Sequence, residues 1–502
     1  MKKKAQTENK KIFFLYLGIF VLLTVLLFSP RLFVGGDNAQ YIALAESLIS
    51  GKGYRTLYLP EEPPNTHFPP GFSLLLSIPY LVFGKNILIF KLFVFCISIG
   101  TLFFLYTISR HLYQGKTKFI MAFLLSMPIF IVYNHRILSE MPYLCFTLGA
   151  LYFFYMAEEK HAAYYYLSFG LAIFAVFIRT TGIVLIISMI IILLLKKRFK
   201  YLVILLIMFG ITYVPWHMRN AAIGASDTYF DQLFARDVFD PSAGSIGAGD
   251  FIHRIGSNFM VYSFGFIPKT MLPLLHSRLL LGIAGAIFVG LILSGFIISS
   301  RKFSVLDIYL MGVVAIILSW PRIWASERFL LPVLPIMIFY VFTALFWISR
   351  KVKFRYFMIV FVGLLIALNS YAMGRCAHDM ITINTRYLRG DKYAGYESTW
   401  HQYFALLYWI DHNIPPGRVI MSRKPEFVYL ISGHKAIIFP HTRNHYELIN
   451  AVLQCDYVIF DAFYDKNTQE HLLTPVIKRE PDRFKMIGQT PEPTFYLLQV
   501  IK

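Results

Sequence analysis

Charge is what this chain has little of. Only 15% of its 502 residues are Asp, Glu, Lys or Arg, against 57% hydrophobic, and the mean hydropathy is +0.57. No soluble fold of this length needs so much apolar surface. Cysteine is also scarce: Cys96, Cys145, Cys376 and Cys455 stand far apart without metal-ligand spacing, and no chemistry is assigned to them. Acidic residues number 28 against 48 basic ones, a formal charge of +20. The excess forms no continuous basic face, so nucleic acid is not the expected partner. Long-period repeats and low-complexity tracts are absent as well.

The chain is instead rich in apolar runs, each near the roughly 20 residues that cross a bilayer. In lipid every backbone group must be satisfied within its own helix, which selects a helical bundle. Between the runs lie basic clusters: Lys2 to Lys4 with Lys10 and Lys11, Arg110 to Lys118, Lys196 to Lys200, Arg301 with Lys302, and Arg350 to Arg355. All fall on one side, the cytoplasmic one by the positive-inside rule, if spans run at about 12–34, 86–109, 119–133, 143–156, 164–178, 182–195, 201–217, 279–299, 305–319, 329–348 and 356–373. The first run lacks a small-residue cleavage site and is expected to be retained.

The expected fold class is therefore a multi-pass α-helical membrane bundle of about eleven spans. A first outer loop, 35–85, carries helix-like segments at 38–49 and 71–83 that lie along the interface. Residues 1–373 form the transmembrane unit and 374–502 a small extracytoplasmic α/β domain. In the latter, strand-like runs at 418–421, 436–439, 457–460 and 495–500 alternate with helix-like runs at 399–412, 425–431 and 445–453.

Polar residues collect at the expected outer ends, where they are costly and therefore suspect. Asp37 follows Gly35-Gly36 directly after the first span. It suits a helix cap, and equally a base for an acceptor hydroxyl or a ligand to a divalent ion. Glu140 lies at the next outer turn, in His135-Arg136-Ile137-Leu138-Ser139-Glu140. Such an acid is commonly only solvated, but topology places it on the same face as Asp37, so the pair could share an acceptor or a metal. Arg179, Arg219 and Arg328 each have a snorkelling role available, and each also offers the planar fork that fits phosphate oxygens. His67, in Asn65-Thr66-His67-Phe68-Pro69-Pro70-Gly71, either anchors the loop or reaches the phosphate.

The order of a basic tail, a span, Gly-Asp-x-x-x-Tyr (Gly36 to Tyr41), Gly51-x-Gly53-Tyr54, His67-x-Pro69-Pro70-Gly71, an interfacial helix and an acidic turn resembles the C-type superfamily of membrane glycosyltransferases. Pro215 to Asn220 and Glu327 to Pro335 resemble the branch that holds protein mannosyltransferases and lipid A aminoarabinose transferases. The resemblance implies inverting transfer of one sugar from a polyprenyl-phosphate donor to a lipid, polysaccharide or protein acceptor. It implies Asp37 at the reaction centre, Glu140 at the second acidic position, and Arg179 at the basic position after the fifth span. Arg179, Arg328, Arg219 and His67 are then expected at the donor phosphate, and Tyr41 and Glu327 at the substrate. No cofactor is implied beyond a divalent ion between Asp37 and Glu140.

Two departures bear on the substrate. The aminoarabinose branch has Glu-Lys where this chain has His67-Phe68, and no Trp-Trp-Asp signature of oligosaccharide transfer occurs. A transporter or flippase would instead place charges within spans and show matched halves. An envelope ligase or polymerase would carry its polar residues in a large late outer loop.

Overall fold

The computed structural model describes residues 2–224, 228–238, 244–299, 303–352, 356–440, 442, 444–461, 463 and 473–502. Of the basic clusters, Arg301 with Lys302 and residues 353–355 lie outside the described residues, as does part of the polar stretch 219–276.

Most of the chain is helical, because its apolar runs leave no other way to satisfy the backbone away from water. Among the described residues five segments are long and apolar enough to cross a membrane: Ile87–Ser126, Phe199–Ala222, Arg278–Ser299, Leu334–Lys351 and Phe357–Leu388. Gly71–Phe83, Tyr164–Ile178, Thr180–Leu195 and Val305–Ser319 are shorter apolar helices. Ile87–Ser126 folds back on itself at Gln114–Lys116, since the Ser98 hydroxyl donates to the carbonyl of Asn134 at 2.8 Å. The hairpin packs on the first helix, Lys2–Leu26, through Phe13 on Phe103 and Phe20 on Phe95, and Asn134, just beyond the hairpin, is bonded to Thr24.

The segment between the first helix and Ile87–Ser126 forms two short ones, Asp37–Ile49 and Gly71–Phe83, which pack on each other through Tyr41 and Phe72. Gly71 is needed where it stands, because a Cβ there would lie 2.7 Å from the carbonyl of Phe177. The outward row Leu74, Ile78, Leu81 and Val82 is exposed and apolar, as expected of a helix lying against lipid.

The last long helix continues well past its apolar part, to Leu388, and the α/β unit begins with the helix Ser398–Asn413. Five strands follow: β1 Val419–Met421, β2 Lys435–Ile437, β3 Tyr457–Phe460, β4 Phe484–Gln489 and β5 Tyr496–Val500. They are ordered β2-β1-β3-β5-β4, parallel from β2 to β3 and antiparallel from β3 to β4. The sequence shows every strand except β4, an edge strand with no buried residue and no apolar alternation.

This unit sits on the loop that holds Asp37. The amide of Ala436 in β2 donates to Tyr58 at 2.7 Å, which covers an otherwise open sheet edge. Helix Pro425–Ser432 packs on Asp37–Ile49, with Tyr429 bonded to Glu46 and the Lys424 ammonium bonded to the carbonyl of Gly35. Below, the hydroxyl of Tyr396 accepts from the amide of Leu32 at 2.7 Å.

Candidate active site

Gly36 begins the site. Its φ of +100° is a left-handed turn, and a Cβ there would lie 2.0 Å from Oε1 of Glu426. Only glycine allows this turn beneath the α/β unit. The turn makes Asp37 the first residue of its helix, where a carboxylate also suits the helix dipole. Its side chain does not cap the helix. Oδ2 of Asp37 accepts from Nη2 of Arg328 at 2.5 Å.

Glu140 opens helix Glu140–Glu159, and Arg179 ends helix Tyr164–Ile178 in extended backbone before the tight turn Thr180–Gly182. Arg328 lies in the turn Glu327–Leu330 ahead of helix Leu334–Lys351. Residues nearly 300 positions apart thus share one network. Oε1 of Glu140 accepts from Nη1 of Arg179 at 2.8 Å and from Nε of Arg328, and Arg179 also donates to the Ser139 hydroxyl. Arg328 is therefore a bridge between the two acids.

The two carboxylates are not equivalent. The Glu140 side chain is fully buried, whereas that of Asp37 is 27% exposed. Only Asp37 offers an oxygen to an incoming molecule; Glu140 can act only through the arginines it holds. The two acids share the Arg328 guanidinium rather than an ion, and among the described residues no three His, Cys, Asp or Glu gather to hold a metal. A divalent ion between them does not fit this arrangement, and no step is assigned to one.

The other candidates are placed as follows. Arg219 donates to the carbonyls of Asn65 and Tyr54 and stacks on Trp216, so its fork ties the outer loop to helix Phe199–Ala222. His67 stacks on Tyr229. Burial lowers its pKa, only partly offset by Asp37, which favours the neutral ring. Tyr41 is buried between Phe68 and Phe72 and donates to Ser139, the hydroxyl that Arg179 also holds. Glu327 is half-buried beside Arg328.

Three neighbours went unread in the sequence. Ser139 joins Tyr41 to Arg179 and was visible only as the residue before Glu140. Arg136 faces the same Phe33 ring as Arg328, with guanidinium-to-ring distances of 5.5 and 5.3 Å. Glu426 arrives from the α/β unit. Its burial, opposed by Lys424, pushes its carboxyl above the ordinary value. Nothing in residues 35–37 announces a carboxylate nearly 400 positions away. Both amide atoms of Asn38 and Oε2 of Glu140 are buried with no hydrogen-bond partner among the described residues.

An apolar cavity of about 210 Å³ runs between the helices, lined by Tyr262, Ile267, Val289, Phe296, Val314 and Leu330 among others. Leu330 ends the turn that carries Arg328.

Comparison with solved structures gives the same architecture. ArnT from Cupriavidus metallidurans in the apo state aligns over 96% of this chain and 97% of its own, with a TM-score of 0.59 and 13% identity. Its form bound to undecaprenyl phosphate aligns over the same shares, with a TM-score of 0.60 and 12% identity. The fold is that of the C-type membrane glycosyltransferases. The oligosaccharyltransferase of Archaeoglobus fulgidus, tethered to an acceptor peptide, shares this C-type fold over 97% of this chain and 74% of its own, with a TM-score of 0.56 and 14% identity. In sequence, residues 67–216 match the family described as dolichyl-phosphate-mannose-protein mannosyltransferase. That stretch runs from His67 through Glu140 and Arg179 but stops short of Asp37 and Arg328. No curated protein matches the chain.

Proposed function

We propose that this protein is an inverting glycosyltransferase that moves one sugar from a polyprenyl-phosphate donor to an acceptor on the outer face of the inner membrane. The observation that carries the reading is the Asp37–Arg328–Glu140–Arg179 network, largely buried at one end of an apolar bundle. In this reading about eleven segments cross the membrane, the basic clusters face the cytoplasm, and the α/β unit lies outside. The fold shared with ArnT, solved with undecaprenyl phosphate, supports a prenyl carrier, and the mannosyltransferase match supports transfer of a single sugar.

In the proposed reaction the free oxygen of Asp37 takes the proton of the acceptor hydroxyl or amine as that atom bonds to C1 of the sugar. The bond from C1 to the phosphate oxygen breaks on the opposite face, and its electron pair leaves with the polyprenyl phosphate. One displacement inverts the anomeric centre. Arg328 holds Asp37 in place, and Glu140 fixes Arg328 and Arg179 so that the base meets a preorganised field. The prenyl chain lies along the apolar helices.

Purified protein, offered a panel of polyprenyl-phosphate sugars with lipid, glycan and peptide acceptors, should release polyprenyl phosphate in step with sugar transfer. Chelator should leave the rate unchanged, because a guanidinium stands between the acids. Absence of turnover from every lipid-linked donor would overturn the reading.

A further inference from the structure

The arginines nearest Asp37 already have partners in the protein. Arg179 and Arg328 are bonded to Glu140, Asp37 and Ser139, and Arg219 to two loop carbonyls. A second group of cations adjoins them and is built differently. Arg31, Lys91 and Arg136 lie within electrostatic reach of one another, and none has an ion pair with a carboxylate among the described residues.

Their donors are unequally used. The Lys91 ammonium, buried at the start of helix Ile87–Tyr113, donates to the carbonyl of Arg31 at 2.8 Å. Arg31 in turn donates to the carbonyl of Gly395 and to the Ser29 hydroxyl, closing the seam under the α/β unit. Arg136 alone of the three makes no side-chain hydrogen bond among the described residues. Its guanidinium lies over the rings of Tyr133, at 4.4 Å, and Phe33. His135, just before it, accepts from the amide of Ser29 and adds no charge of its own. Burial, with Lys91 and Arg136, holds that ring neutral. Glu327 shares the neighbourhood of Tyr133 but makes no ion pair with Arg136.

Bringing several cations together without an acid is costly, and an anion is the natural complement. The half-buried guanidinium, oriented by two rings and within 5.5 Å of the ring that also carries Arg328, has its planar set of N–H donors free. We infer that Arg136 is the anchor for a lipid phosphate at this site, with Lys91 and Arg31 supplying the field that draws it in. The inference rests on the glycosyltransferase reading for the identity of the lipid but not for the anion. The phosphate belongs either to the prenyl donor or to a phospholipid acceptor, and the two can be separated.

Binding of polyprenyl phosphate, polyprenol and phosphatidic acid to the purified full chain in detergent tests this, using wild type, Arg136→Gln and Arg136→Lys. The Gln variant removes the charge, and its melting temperature checks folding. Loss of a charged hydrogen-bond donor should weaken polyprenyl phosphate by about ten- to a hundredfold, with polyprenol unchanged and Lys recovering part of the loss. A loss confined to phosphatidic acid would uphold the anchor and assign it to the acceptor. Wild-type affinity for both phosphates in a folded Arg136→Gln would overturn the anchor while leaving the donor reading intact. A wild type that prefers neither phosphate over polyprenol would remove both.

Discussion

The two ends of the bundle use the same kinds of residue in opposite ways. At the basic end Lys196 meets Glu158 at 2.5 Å and His111 meets Glu159, with the Lys196 and Glu159 side chains 44% and 52% exposed. Each pair keeps one member in water, its partner (Glu158 or His111) being 18% or 26% exposed, and holds little together. At the other end Asp37, Glu140, Arg179 and Arg328 are drawn inward, and Arg136 stands beside them without a carboxylate. Burying charges costs more than their mutual attraction returns unless geometry is close to ideal. The difference therefore marks where the chain carries a burden that folding alone does not require.

The contrast would be sharpened most by Asp37→Asn. This change keeps shape and removes the proposed base, so turnover with a lipid-linked donor should fall by about 10²–10⁴-fold while the protein still inserts and binds donor. Full turnover in a folded Asp37→Asn would leave the inward-drawn network without a catalytic role. Next in size is Arg328→Met, which leaves Asp37 without its cation and Glu140 with Arg179 alone. A loss of about 3–5 kcal/mol is expected in thermal or denaturant unfolding, because a buried pair is broken from one side. Glu158→Gln, the matching change at the opposite end, should cost no more than ~1 kcal/mol. Equal losses at both ends would erase the distinction.

Much of this was legible from the residues alone, and the limits have physical reasons. The bundle could be read because each apolar run reports its own environment, and the acids because topology put them on one face. Arg179 and Arg219 could not be told apart, since a guanidinium fork serves a carboxylate or two loop carbonyls equally well and only distance decides. The polar end of Phe357–Leu388 resembles soluble sequence because its helix rises out of the apolar layer without a break. Arg136 was in plain view beside His135, but a basic residue at a turn carries no sign of whether an acid will meet it.

Gly36 shows the same limit from the other side. The sequence indicates a turn there; the structure adds that Glu426 presses against it. Gly36→Ala should cost ~1–2 kcal/mol from the left-handed backbone alone, plus whatever the displaced carboxylate adds. Against a Glu426→Ala background the second part should vanish and the first remain, a coupling that a double-mutant cycle reads directly. Additive losses would mean that the α/β unit does not bear on the turn.

The smallest effect concerns Glu426 itself, and its sign follows from its surroundings. The groups facing it are Lys424, 4.0 Å away, with Asp37, Tyr58 and Tyr403. Burial comes first among the causes and raises its pKa, with Lys424 opposing and Asp37 adding to the rise. A raised folded value means that protonation favours the folded state. The contribution is complete below the ordinary glutamate value of about 4.3 and is lost as pH climbs through the folded value. Glu426→Gln keeps the neutral form at every pH, so its melting temperature should decline less than that of the wild type between acid and neutral conditions. If the two profiles run parallel, Glu426 is charged when folded, and its place against Gly36 must then rest on Lys424 rather than on a held proton.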